Sequence, residues 1–248
     1  MSDKKFANMH YPGMKADPNE GKAPLSQSTL WRFESQIECV GEEAQHKLLA
    51  TSALVLGATP LGLRIAKKLL EFGIGRVGVF GEKPLTGAHG LTSNKPQTEV
   101  GALEIFSKWA KESVTWAEYE SFGMTSLDRQ IDDIVRGFLF IIDVNGIESA
   151  ARSVDLLERY PVSVLAAQVA GDKAWCFALP HKAKVRQDFL KQDLEARQAE
   201  GLFLPLVDHV ALRVSLHVIE VALNPEDAKP QFEVIDASKF PWSISLTR

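Results

Sequence analysis

The sequence predicts an α/β fold: a mostly parallel sheet with helices on both faces and an antiparallel extension toward the C-terminal end. Three features predict it. Short, almost wholly apolar runs such as Ala53 to Leu56 and Phe138 to Asp143 read as strands buried on both faces. Segments of helical period alternate with them as far as Ala167, the grammar of βαβ units. Past Ala170 the next strand follows a tight Gly171-Asp172 turn, and so short a link joins only antiparallel neighbours.

Residues 1–26 carry Pro12, Pro18, Pro24, Gly13 and Gly21, which break any helix, and read as a flexible arm. Residues 27–248 read as one domain. Gln36 to Leu49 has helical spacing through Ile37, Val40, Ala44 and Leu48. The strand Ala53 to Leu56 runs into Gly57. Leu61, Ile65, Leu69 and Phe72 then mark a helix opened by Pro60, whose missing N–H costs nothing in a first turn. Gly73 and Gly75 close that helix, and Val77 to Phe80 is the next strand. The alternation continues with a helix over Glu99 to Ala110, a strand over Val114 to Tyr119 and a short helix over Ser126 to Val135. The strand Phe138 to Asp143, a helix over Ile147 to Arg159 and the strand Val162 to Ala167 complete it. After the turn come a strand over Lys173 to Leu179 and a charged amphipathic helix over His181 to Ala199. A largely apolar helix over Leu206 to Leu223 and a terminal hairpin of Phe232 to Asp236 with Ile244 to Leu246 end the chain.

Hydrophobic residues make up 45% and charged residues 24% of the 248, a globular composition. A formal net charge of -4 provides no attraction to nucleic acid or to an anionic membrane, so neither is expected as a partner. No apolar run reaches the roughly 18 residues of a membrane span, and Met1 to Lys22 lacks a signal-peptide core. Cys39 and Cys176 form no CxxC pair, which excludes a zinc ribbon and argues against a disulfide framework. A reducing cytoplasm is the expected setting.

The run Gly57-Ala58-Thr59-Pro60-Leu61-Gly62 joins the first strand to its helix, where a Rossmann-type G-x-G-x-x-G would hold a pyrophosphate on the helix N-terminus. Thr59 replaces the middle glycine, limiting how closely a phosphate approaches the backbone, and Pro60 removes one donor. Gly57, Thr59 and Gly62 therefore either bind a nucleotide or only pack helix against strand. Glu82 stands one place later than the acidic residue that would hold a ribose, and is either that ligand or a solvated loop glutamate. The six histidines include no HxxxH pair, so no helical metal site is indicated. His89, in Gly87-Ala-His-Gly90, is the one worth testing. Cys176 reads as core, Cys39 as packing on the first helix. Trp31 and Phe33 either anchor a partner subunit or cap the chain's own core.

Several motifs occur in one order. Arg32-Phe-Glu-Ser-Gln-Ile37 is similar to R-Y-x-R-Q-I, and Gly41-Glu-Glu-Ala-Gln-His-Lys-Leu48 to G-x-x-x-Q-x-x-L. Ala53-Leu-Val-Leu-Gly57 leads into the glycine turn, and Gly73-Ile-Gly-Arg-Val-Gly-Val79 is similar to G-V-G-x-L-x-L. Ser93-Asn94, Glu99-Val-Gly101, Ile142-Asp143, the S-x-x-x-x-E of Ser215 to Glu220 and Phe232 to Ala237 follow in sequence. Taken together, residues from Trp31 onward resemble the ThiF/MoeB/HesA family of ubiquitin-activating-enzyme-like adenylyltransferases. The resemblance implies the activating-enzyme fold, ATP with magnesium as cofactor, and adenylation of the C-terminus of a small ubiquitin-like or sulfur-carrier protein. It also implies a homodimer or heterodimer. Arg32 and Asp143 are its catalytic candidates; Gly57, Thr59, Gly62, Glu82 and Asn94 are its cofactor-binding ones.

The departures from the family pattern fall on the groups that adenylation uses. Ser35 replaces an arginine, Gly81 an acidic strand end, Gln97 another arginine, Glu104 a lysine and Gly146 a metal-binding aspartate. Losing one contact to developing charge costs on the order of 2–4 kcal/mol in a transition state. Lys83, Lys95, Arg64 and Lys108 are the cations near enough in sequence to compensate, and each also reads as a solvated surface charge. Two functions stay open on this reading: an adenylating enzyme, or a catalytically degenerate subunit that pairs with an active partner. A nicotinamide-dependent dehydrogenase is set back by the absent middle glycine and acidic strand end.

Overall fold

The computed structural model describes residues 25–81, 101–122, 133–181, 204–238 and 243–246. All but the last two residues of the predicted N-terminal arm, the charged helix after His181 and all but the last turn of the predicted helix ending at Val135 lie outside them.

In chain order, α1 (Gln27–Arg32), α2 (Glu34–Val40) and α3 (Glu42–Leu49) precede β1 (Ser52–Leu56). Then come α4 (Pro60–Glu71), β2 (Arg76–Phe80), α5 (Ala102–Ser113), β3 (Glu118–Phe122) and β4 (Phe140–Asp143). α6 (Ile147–Val154) and α7 (Leu156–Arg159) lead into β5 (Ser163–Ala170) and β6 (Lys173–Leu179). α8 (Leu204–Leu223), β7 (Gln231–Asp236) and β8 (Ser243–Leu246) complete the order.

These strands form one sheet in the order β3-β2-β1-β4-β5-β6-β7-β8. β3, β2, β1, β4 and β5 are parallel neighbours, and β5 through β8 are antiparallel. This is the Rossmann-like activating-enzyme architecture with its antiparallel extension. The order reverses beside β1: the chain moves outward to β2 and β3, then returns to lay β4 on β1's other side. Ligands of open α/β sheets bind at the carboxyl ends of the strands at such a switch.

Period-two burial explains both faces. Ala53 and Val55 of β1 join a core cluster with Leu61, Ile65 and Leu69 of α4, Phe106 of α5 and Val207, Val210, Val214 and Val218 of α8. Leu54 and Leu56 turn the other way, toward Ala150 and Val154 of α6. α8 is long and apolar because one face of its 20 residues, from Leu206 to Val221, lies against α4, β5 and β6. Even so, no helix among the described residues is long and apolar enough to cross a membrane.

Three predicted elements differ in extent. The helix predicted over Gln36 to Leu49 is two, because Gly41, with φ 87°, ends α2 and caps α3. α5 runs to Ser113, so Val114 is the buried C-cap and the strand predicted over Val114 to Tyr119 begins at Glu118 instead. The helix predicted over Ile147 to Arg159 breaks at Asp155 into α6 and α7.

Candidate functional site

The first turn of the βαβ unit is held shut by its two glycines. Gly57 has φ 120°, and a Cβ there would lie 2.6 Å from Asn145 Oδ1 and 2.9 Å from Val144 Cγ2. A Cβ on Gly62 would lie 2.0 Å from the Gly57 carbonyl oxygen, so α4 approaches the strand end as only glycine permits. The Thr59 hydroxyl accepts a hydrogen bond from Gly62 N at 3.1 Å and so caps α4, with Pro60 at the first helical position. Both readings of this turn therefore have a structural basis. The packing is real, and the backbone N–H groups of Ala58 and Thr59 take no hydrogen-bond partner among the described residues. The Thr59 hydroxyl accepts one bond from its own helix and keeps its proton to donate.

Across the switch, the end of β4 is closed by a polar knot. Asp143 is wholly buried. Its Oδ1 accepts from Asn145 N at 3.0 Å, and its Oδ2 accepts from the hydroxyls of Ser149, at 2.8 Å, and Ser153. The Asn145 side chain donates from Nδ2 to the Leu56 carbonyl at 2.9 Å and lies against Gly57. The carboxylate thus faces α6, where it ties the β4–α6 loop, and not the crevice. Among the described residues this strand end does not fit a magnesium ion: its one carboxylate is wholly buried and turned to α6, and Gly146 supplies no second ligand. Gly146, at the position the resemblance gives to the metal-binding aspartate, starts α6 with no side-chain cap.

Two of the cations predicted to compensate fall among the described residues. Arg64, on α4, pairs with Asp208 of α8, and Lys108 is exposed on α5, as is Glu104 in that helix's first turn. Gly81 follows β2, its N–H bonded to the Phe122 carbonyl at 2.9 Å. Glu82, Asn94, His89, Gln97, Lys83 and Lys95 lie outside the described residues.

Arg32 and Asp143 are not brought together. The Arg32 guanidinium stacks 3.7 Å from the centre of the Trp116 ring, just before β3, and Trp116 donates from its indole N–H to the Leu70 carbonyl at 3.0 Å. Trp116 precedes its strand whereas the glycine turn ends one. In a parallel sheet these are opposite edges, separated by the roughly 16 Å that the five residues of β1 span. Phe33 caps the chain's own core against Trp116, while Trp31 is 72% exposed. Cys39 is also exposed in the single chain.

A second polar cluster was not visible in the sequence. Cys176 of β6 and Glu233 of β7 are cross-strand partners, and both face α8. Arg213 of α8 donates to both oxygens of Glu233, from Nε at 3.0 Å and from Nη2. One helical turn later, His217 Nε2 stands 3.5 Å from Glu233 Oε1, and Cys176 Sγ stands 3.9 Å from Oε2. Burial alone would raise the Glu233 carboxyl, yet His217 and Arg213 beside it bring it down to about 2. Burial, and then the Glu233 charge, push the Cys176 thiol up to about 12. The signal that could have found this cluster is Glu233 itself: in Phe232 to Ile235 it shares a strand face with Ile235, an apolar position occupied by a charge.

No protein-family model and no curated protein matches the sequence. Solved structures do match the fold. A crystal structure of PaaA superposes with TM-score 0.70 at 13% identity, over 94% of this chain and 78% of that one. The crystal structure of Escherichia coli MccB with ATP superposes with TM-score 0.68 at 14% identity, over 88% and 71%. The microcin C7 biosynthetic enzyme MccB in complex with N-formylated MccA superposes with TM-score 0.64 at 13% identity, over 88% and 72%. At such identities the likeness is one of fold.

Proposed function

We propose that this chain is a ThiF/MoeB-like protein whose sheet tip receives an adenine nucleotide but does not itself adenylate. In this reading it is a degenerate subunit that works with an active partner. The occupied Asp143 carboxylate carries the reading. Adenylation places cations, N–H donors and a metal around a triphosphate. Here the tip keeps the glycine turn and its backbone donors, while its carboxylate is bound by two serines and a backbone amide. Arg64 is held by Asp208. Exposed Trp31 and Val40 on α1 and α2 supply apolar surface for a partner subunit, either a second copy or a relative with an intact site.

Calorimetry with ATP and AMP, each with and without magnesium, tests the binding half: heat that is indifferent to magnesium is expected. ATP–pyrophosphate exchange with a Gly-Gly-ended carrier tests the other half. No exchange by the chain alone is expected, and robust exchange by it alone overturns the reading.

One observation favours a second reading. MccB, which shares this fold, has been crystallised with ATP, with AMPCPP and with MccA. In that reading this chain adenylates the C-terminus of a small ubiquitin-like or sulfur-carrier protein or peptide. Magnesium-dependent exchange on addition of such a carrier would select it.

A further inference from the structure

We propose that Cys176, His217 and Glu233 form a zinc site that fastens the antiparallel extension to α8. The site is remote from the glycine turn and independent of the function proposed above. Three observations carry it. The first is the donor set: a thiol, an imidazole and a carboxylate meet from three separate elements, β6, α8 and β7, and this combination suits zinc. The second is spacing. All three donor atoms lie within 4.8 Å of one another; His217 Nε2 is 3.5 Å from Glu233 Oε1, and Cys176 Sγ is 3.9 Å from Glu233 Oε2. A tetrahedral ion bonded at about 2.0–2.3 Å sets its ligands roughly 3.3–3.8 Å apart, so closure draws the donors together by at most about 1 Å, within reach of side-chain rotation. The third is an unsatisfied buried nitrogen. His217 is 4% exposed, and its Nε2 points at the cluster without making a hydrogen bond.

The surroundings suit a coordinated imidazole. His217 Nδ1 faces Glu220 Oε2 at 3.7 Å, the side on which a carboxylate holds the ring of a metal-bound histidine. A divalent cation between Nε2, the Glu233 carboxylate and the Cys176 sulfur would meet all three donors at once. Arg213 does not close the site. It bonds both Glu233 oxygens, and on metal binding it keeps one while the other turns to the ion, so that it orients the carboxylate from behind. The thiol proton leaves to solvent as the sulfur–metal bond forms, giving a thiolate, a carboxylate and a neutral imidazole around a divalent cation. The partly exposed side of Arg213 is the route in.

The test is metal content and spectrum of the full chain. Protein loaded with zinc chloride and passed through gel filtration is analysed by inductively coupled plasma mass spectrometry. About one zinc per chain is expected, as a single site of three protein ligands requires. Cobalt-loaded protein should show a thiolate-to-metal charge-transfer band that Cys176→Ser removes. A second variant, Cys39→Ser, should keep both the metal and the band, which assigns them to the buried thiol. Stoichiometric zinc with a lower unfolding temperature after chelation supports the site. Wild-type protein that retains no zinc, or whose cobalt form lacks the thiolate band, overturns it.

Discussion

Arg213→Met in chelator-treated protein is the sharpest test of how the antiparallel extension is held. Glu233 is wholly buried, and Arg213 donates to both of its oxygens. Removing the guanidinium leaves a carboxylate in an apolar layer formed by Cys176, Ile235 and the valines of α8. Breaking one partner of a buried ion pair costs about 3–5 kcal/mol, because the remaining charge is not solvated. The Arg213 side chain is 31% exposed, so part of its own charge already faces water and the lower half of that range applies. Against a total stability of about 5–15 kcal/mol the loss is large. At roughly 2–4 °C per kcal/mol it lowers Tm by on the order of 6–16 °C. Urea unfolding followed by tryptophan fluorescence at pH 8 reads the loss. Adding Glu233→Gln to the variant removes the orphaned charge and recovers most of the loss. A single variant within about 1 kcal/mol of wild type, or a double variant no better than the single, refutes the reasoning.

Four further outcomes follow from the same geometry. Gly62→Ala forces a Cβ to within 2.0 Å of the Gly57 carbonyl and should lower Tm and abolish any nucleotide heat in calorimetry. Thr59→Ala removes the cap of α4 and should cost about 1 kcal/mol in denaturant unfolding. Leu63→Ala, at a site with no exposure, should cost about 2–5 kcal/mol, the spread set by how far α4 relaxes into the cavity. Burial raises the Tyr119 hydroxyl to about 12, against a lowering by the Ser107 hydrogen bond. A raised folded value means stability is intact below the unfolded value of 10 and is lost as pH rises through about 12. Tyr119→Phe should flatten that alkaline loss and remove the latest step of the ultraviolet tyrosinate titration.

Strand and helix identities were legible in the sequence wherever one period dominated. β1, β4 and α4 fall where Ala53 to Leu56, Phe138 to Asp143 and Leu61 to Phe72 put them, because burial on both faces leaves a strand no polar position and burial on one leaves a helix a stripe. The glycine turn was legible too, since Gly57 and Gly62 sit where side chains collide with backbone or with Asn145. Less was legible at Val114, where an apolar residue served as a buried C-cap and not as the first residue of a strand. Side-chain allegiance was not legible at all. Asp143 lies at the end of its strand as the motif implies, but which way its carboxylate faces depended on Ser149 and Ser153, a helix turn and more away.

By itself the sequence determined the order of elements, the parallel-then-antiparallel sheet and the glycine turn, because these follow from local period, from loop length and from backbone sterics. Only the tertiary structure decided which charges meet. Arg64 finds Asp208, Arg213 and His217 find Glu233, and Cys176 sits opposite that carboxylate, across separations in sequence that no local rule spans. The physical reason is that electrostatics and metal ligation act on distances of a few ångströms. Those distances exist only once the sheet has set the register of β6 against β7 and α8 has packed across them.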